Sequence, residues 1–327
     1  MHGSRRTVVS LLGAGALTLA MGGSAWAQAY PTKPVKLVVP FAPGGATDIA
    51  ARALAKMMGD RLGTNVTVEN KPGAGAVIGI DFVAKSDPDG YTLLYGSDSL
   101  ILSQLTRKKV PFAVKDFIPL ARVRYSSTYI AANAKAPFNN FKEMVAYAKA
   151  NPGKLTYASG GAGTIVHLAF EMMKLKTGIH IVHIPYRGSA PSVIDTVGGQ
   201  VDLVVGGIAE MMPFIRSGQL KPIGMTGLKP VATAPMMPAI AEMGYPGFAV
   251  TNWNGVLAPA GTPPEIVKRL TDVIAEVAES AELQKALEAT GAEPNALLKG
   301  EAFGIFIGKT MGDFRTLIDT VKLTFED

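Results

Sequence analysis

Val35-Lys36-Leu37-Val38-Val39-Pro40-Phe41-Ala42-Pro43-Gly44-Gly45-Ala46-Thr47-Asp48 opens the folded part of the chain. The first five residues are a β-rich apolar run ended by Pro40. The glycine pair makes a turn, and helical spacing runs from Asp48 to about Leu62, where Gly63 supplies the stop. Strand, glycine turn and helix start, in that order, begin a βα unit. Working outward, Val66-Thr67-Val68 reads as a second strand, Ile78 to Ala84 lies in a second helix, and Tyr91 to Tyr95 forms a third strand. The result is βαβαβ, the half-unit of a doubly wound parallel sheet.

The pattern then recurs. Asn140 with Glu143 has capping-box spacing before Phe141, Met144, Val145 and Ala148, and Asn151-Pro152-Gly153 stops that helix. Leu155 to Ala158 is a strand, Ile165 to Lys176 a helix and Ile179 to Ile184 a strand. A short helix over Pro191 to Val197 and strands over Val201 to Val205 and Pro222 to Met225 complete the second unit. Beyond one strand-like segment, Gly255 to Ala258, the C-terminal part is helical. Thr262-Pro263-Pro264-Glu265 starts a helix with Thr262 as its cap, and Ser280 caps the next. One strand cannot found a third domain, so the tail is expected to return to the first unit. The expected organisation is an export leader over residues 1–27, a first lobe of residues 28–127 plus 250–327, and a second lobe of residues 128–249. Two crossover strands join the lobes and leave a cleft between them.

The chain has 327 residues and no cysteine, which excludes disulfides, thiolate metal sites and a cysteine nucleophile. Arg5-Arg6 and the short apolar stretch after them precede Ala25-Trp26-Ala27, an A-x-A cleavage site. That stretch is shorter than the ~20 residues a retained membrane helix needs. The mature chain is therefore expected in the periplasm, cut after Ala27. Losing the leader leaves 30 basic against 26 acidic residues, a net charge of +4. The cations are scattered and no aromatic residues interleave with a basic run, so nucleic acid is not an expected partner.

Two turns can carry chemistry. In the first, Phe41 to Asp48, a strand end and a helix start aim free backbone N–H groups and a positive dipole end at one point, which suits an anion. The same residues also suit a tight βα turn with Asp48 as an ordinary N-cap, and spacing alone does not separate the two. The second, Ser159-Gly160-Gly161-Ala162-Gly163-Thr164, repeats the logic in the second unit. Ligands of open α/β sheets bind at the strands' carboxyl ends, where both turns fall. His167 lies in the first turn of the following helix, and a packing role suits it better than a ligand role on residue type alone. Gly73-Ala74-Gly75, with Gly79 and a later Asp98, imitates a dinucleotide fingerprint with the wrong glycine spacing, so an exported dinucleotide-binding enzyme is the rival reading. Ser159 lacks the leading glycine of a nucleophile elbow, and His167, His180 and His183 lack metal-ligand spacing. No catalytic residue, metal or cofactor is expected.

The chain also resembles a known family. Tyr30-Pro31-Thr32-Lys33-Pro34, Val39-Pro40-Phe41 with Gly44-Gly45 and Thr47-Asp48, and Glu69-Asn70-Lys71-Pro72-Gly73-Ala74-Gly75 match it. So do Pro88-Asp89-Gly90-Tyr91-Thr92-Leu93-Leu94, Asn151-Pro152-Gly153-Lys154-Leu155, Pro185-Tyr186-Arg187-Gly188, Gly198-Gly199-Gln200-Val201-Asp202 and Ala258-Pro259-Ala260-Gly261-Thr262-Pro263. With these motifs the sequence is similar to the Bug-type periplasmic receptors of tripartite tricarboxylate transporters. The resemblance implies a two-lobe α/β binding protein of the Venus-flytrap, type II-like kind, a monomer that holds a small organic acid and meets the membrane subunits of a transporter. It places Phe41, Gly45, Thr47 and Asp48 on one jaw and Ser159, Gly160, Gly163, Thr164 and His167 on the other. It also makes Gly73-Ala74-Gly75 a family signature rather than a cofactor loop. No motif marks the residues that choose among acids.

Overall fold

The computed structural model describes residues 30–293 and 296–321. The expected leader and its cleavage site lie outside them. In chain order the elements are β1 (Val35–Val39), α1 (Ala46–Leu62), β2 (Val66–Asn70), α2 (Val77–Ala84), β3 (Thr92–Ser97), α3 (Ser99–Thr106) and β4 (Phe117–Ser127). Then come β5 (Tyr129–Asn133), α4 (Phe141–Ala150), β6 (Thr156–Ser159), α5 (Ile165–Thr177), β7 (Val182–Pro185), α6 (Ser189–Val197), β8 (Leu203–Gly206), α7 (Ile208–Arg216) and β9 (Leu220–Met225). The chain finishes with β10 (Thr251–Pro259), α8 (Pro264–Glu279), α9 (Ala281–Glu288), β11 (Leu298–Lys299) and α10 (Glu301–Val321).

Two sheets form, ordered β11-β4-β10-β3-β1-β2 and β7-β6-β8-β5-β9. In the first, β1 runs parallel to β2 and β3, and β10 is antiparallel to both β3 and β4. In the second, β6 runs parallel to β7 and β8, and β5 is antiparallel to β8 and β9. The sheets are therefore mixed, not wholly parallel. The reason is local: β5 and β10 arrive directly from the other sheet, with no crossover helix to return them in the parallel sense. The central strands β1 and β8 read as apolar runs because helices cover both faces; in β1, Val35, Leu37, Val38 and Val39 are all buried.

The chain passes between the sheets at Thr128 and again at Val250. Thr226, which follows β9, binds both passages. Its N–H donates to Thr128 O (2.9 Å) and its carbonyl accepts from Val250 N (3.0 Å). Its hydroxyl accepts from Thr128 N (3.0 Å) and donates to Val250 O. Downstream, α8 packs on α1 and β4, α9 on α1, and α10 on α3 and β4, so the helical tail covers the first sheet. Helix starts differ in detail from the sequence reading. Pro263, not Thr262, caps α8, and the Thr262 hydroxyl donates back to Pro259 O (2.8 Å). The Asn140 side chain accepts from Glu143 N as expected, but the Glu143 carboxylate returns to Asn139 N rather than Asn140 N.

Candidate functional site

Five helices begin at one cavity of about 60 Å³ between the sheets. Its lining includes Gly45, Ala46, Thr47 and Asp48 at the start of α1, Ser99 at α3, Thr164, Ile165 and Val166 at α5, Ser189 at α6 and Gly207 at α7. Each of these helices follows a strand, so the carboxyl ends of β1, β3, β6, β7 and β8 all point here, the place open α/β sheets bind ligands. The first N–H groups of a helix have no partner within it. Thr47 and Asp48 of α1 and Ile165 and Val166 of α5 therefore bring unspent donors and two positive dipole ends to the same space. That arrangement attracts an anion.

The sides of the cavity touch one another. Ala42 N donates to Arg187 O (3.0 Å), and Ala46 N donates to Glu210 Oε2 (3.2 Å). Gly75 has φ +60, and a Cβ there would stand 2.2 Å from Ala162 O, so the Gly73-Ala74-Gly75 turn packs closely against the second glycine turn. Asp98, the acid a dinucleotide fingerprint would need, is fully buried and accepts a bond from Trp253 N (2.9 Å). It has no face to offer a ribose.

Six of the nine sequence-predicted residues line the cavity: Phe41, Gly45, Thr47, Asp48, Gly160 and Thr164. Asp48 is not the N-cap of α1, a place Gly45 takes. Its carboxylate accepts from Gly44 N, Arg52 Nε and Asn70 Nδ2. Burial opposes its charge, but those bonds outweigh burial and hold it below the ordinary carboxylate range. Asp48 thus fixes the turn and leaves its backbone N–H to the cavity.

Ser159, Gly163 and His167 are not brought to the cavity wall. Ser159 is fully buried with Oγ 2.7 Å from His183 Nε2, and Gly163 N donates to His167 Nδ1 (3.2 Å). The His167 and His183 rings stack at 3.8 Å, and Tyr157 stacks between His183 and Phe170. Burial pushes both imidazoles down to about 3, so both are neutral. This stack stands behind the second glycine turn and braces it.

Sequence reasoning missed Arg124, Asn252 and Asn254, which also line the cavity. Arg124 is 1% exposed, on β4 just before the first passage. Its Nε donates to Thr290 Oγ1 (2.9 Å), Nη2 to Thr290 O (2.7 Å), and Nη1 to Asn254 Oδ1 (3.1 Å) and, at 3.4 Å, to Asn252 Oδ1. A visible signal existed: Arg122 and Arg124 are charges at alternate positions of a strand that begins as an apolar run, Phe117 to Ala121.

Comparison with known proteins gives a consistent picture. Residues 50–323 match the family model described as "Tripartite tricarboxylate transporter family receptor". The Bordetella pertussis protein BugT is 36% identical over 290 residues, covering 88% of this chain and 89% of BugT. The structure of the periplasmic binding protein BugD aligns with a TM-score of 0.86 at 35% identity, covering 91% of this chain and 100% of that one. A protein of R. palustris solved with adipate also aligns at 0.86, with 29% identity over 90% of this chain and 99% of that one.

Proposed function

The chain belongs to the tripartite tricarboxylate transporter receptor family, and from that premise we propose that it captures a small organic acid by a carboxylate held between the starts of α1 and α5. One observation carries the reading: two unspent helix N-termini from different sheets face a single cavity. Each helix end contributes ~0.3–1 kcal/mol toward an anion, more where it is shielded from water. The adipate bound by the R. palustris relative supports a carboxylic acid as the ligand class.

Residues 28–127 with 250–327 form one lobe in this reading, and residues 128–249 the other. The lobes close on the acid by rotation about the two passages. Ser159, Gly163 and His167 hold the second jaw in shape rather than touch the acid. The protein works as a monomer in the periplasm, freed from its leader after Ala27, and delivers the acid to the membrane subunits of a transporter. It binds without turnover.

A thermal-shift panel of organic acids tests this reading. An acid at 100 times its Kd adds ~2.7 kcal/mol of stability, which moves the melting point by several degrees. Calorimetry and NMR of the best acid then measure its affinity and its fate. A panel in which no carboxylic acid shifts the melting point, or an acid consumed at catalytic rates, would contradict the proposal.

A further inference from the structure

One turn of the chain runs against the hand of its helices. Gly73, Ala74, Gly75 and Ala76 have φ of +135, +48, +60 and +86. Among the described residues, Ala74 and Ala76 are the only ones besides glycine with positive φ. Ala76 N donates to Gly73 O (3.1 Å), and Val77 N donates to Ala74 O. The result is a single left-handed turn joined directly to the right-handed α2. Residues with a Cβ avoid that hand, because the Cβ crowds the following carbonyl oxygen. Glycine meets no such crowding, so the two alanines put strain into the turn. Burial in the core offsets it at Ala76, which is 1% exposed. Ala74 is exposed, and packing gives its methyl no such compensation.

Strain of this kind persists where surrounding contacts enforce it. Two contacts bear on the turn. From its own side, Arg107 Nη2 donates to Ala74 O (3.3 Å). From the other sheet, the second glycine turn presses on Gly75: a Cβ on Gly75 would stand 2.2 Å from Ala162 O, and one on Gly161 would stand 3.3 Å from Gly75 Cα. In the closure proposed above, opening carries Gly161 and Ala162 away and leaves the turn unpressed. We propose that closure loads this turn: contact with Gly161 and Ala162 holds Ala74 and Ala76 left-handed, and both return to negative φ when the two sides part. The strain then works against the closed form, weakens the hold on the acid and quickens its release. The inference rests on the cavity being the acid site proposed above. A receptor that hands its acid on needs such an opposing spring, because tight capture and ready release pull in opposite directions.

A series at position 74 tests it. Glycine takes the left-handed form freely, alanine less readily and a β-branched residue least. Because the position is exposed, the series changes backbone preference with little change in packing. Calorimetry and stopped-flow measurements use adipate, malate and citrate. With each acid the parent binds, Ala74→Gly should bind about fivefold tighter and Ala74→Val about tenfold more weakly, the dissociation rate carrying most of the change. Without acid, Ala74→Gly should melt no higher than the parent, since the relaxed turn holds no strain to relieve. NMR scalar couplings at Ala74 and Ala76 should report negative φ in the ligand-free parent and positive φ once acid is bound. A turn strained in both forms gives the opposite pattern: Ala74→Gly melts higher without acid, affinities are equal across the series, and φ is positive throughout. Any of these three results, in a parent that binds acid, overturns the inference alone. A parent that binds none of the acids overturns the receptor reading and this inference with it.

Discussion

Glu210 on α7 places Oε2 3.2 Å from the backbone N–H of Ala46, so a carboxylate of the second sheet's helices caps the first helix of the other sheet. Its other oxygen accepts from Gly207 N (3.2 Å). The protein thus supplies one anion of its own at the edge of the cavity where it is proposed to hold another. Burial raises the Glu210 carboxyl, and its bonds and Arg124 only partly offset this.

Removing that charge while keeping an acceptor should favour the ligand. We predict that Glu210→Gln binds its acid about tenfold tighter at pH 7.5, a gain of ~1.4 kcal/mol, and that the difference narrows as pH falls and Glu210 itself protonates. Equal affinities for parent and variant at pH 7.5 would mean that Glu210 is not felt by the ligand.

The two sides of the cavity approach closely at Gly207, where a Cβ would meet the Ala46 Cβ at 2.6 Å, and the proposed closure needs that approach. The backbone there has φ −78, so alanine brings no conformational strain of its own. Gly207→Ala should melt like the parent without ligand, bind at least about tenfold more weakly, and keep an open radius of gyration in scattering when acid is added. A variant that still compacts on binding would show that the two sides close by another route.

The stacked imidazoles set an acid limit. His167 and His183 titrate near 3 in the folded protein against an ordinary 6.5, so the unfolded chain binds two protons that the folded one refuses. Stability is full above about pH 6.5 and is lost as pH falls toward 3. Urea midpoints at pH 7.5, 5.5 and 4.5 should drop in that order, more steeply for the parent than for His167→Gln. A flat series in the parent would contradict the burial of these rings.

Asp98 works in the opposite sense. Burial lifts its carboxyl to about 8 from 3.8, with only the N–H of Trp253 and its own backbone pulling it back. The folded state keeps a proton that the unfolded state loses, so this group lowers stability as pH rises from about 4 to about 8. Asp98→Asn retains an acceptor for Trp253 N and cannot ionise. We predict that it stabilises the protein by ~2 kcal/mol at pH 8.5 and by much less at pH 4.5. Equal effects at both values would show that Asp98 is not protonated at neutral pH.

Much of this architecture is legible in the chain because its signals are local. Val35 to Val39, Gly63 and Ser280 state their roles within a few residues, and the two glycine turns fall at strand ends wherever the strands go. Elements without a local signature escape. In α3, the stretch Ser99-Leu100-Ile101-Leu102 is buried throughout, so it shows no amphipathic period. In α7, Gly207 offers no side-chain cap and Pro213 interrupts the pattern. β4 is disguised by Pro119 and two arginines. The site divides the same way: Thr47 and Thr164 announce themselves beside glycines, whereas Arg124 acquires its surroundings from Asn252, Asn254 and Thr290, more than a hundred residues away. The surroundings of His167 are hidden in the same way, since only the fold reveals that His183 faces it.

Thr226 makes the two passages a single mechanical part. Because its N–H, carbonyl and hydroxyl grip Thr128 on one side and Val250 on the other, neither passage can swing without carrying its neighbour. In the closure proposed above, two bends thereby reduce to one axle, and opening becomes a motion with one degree of freedom. Such a device has no half-shut state with one strand turned and one unturned. Thr226→Val, which keeps the shape and removes the hydroxyl's two bonds, should loosen the tie to the backbone pair alone. Hydrogen exchange at Val250, whose own bond to Thr226 O the variant keeps, should then quicken, and an unchanged rate would show that the hydroxyl does not tie the passages.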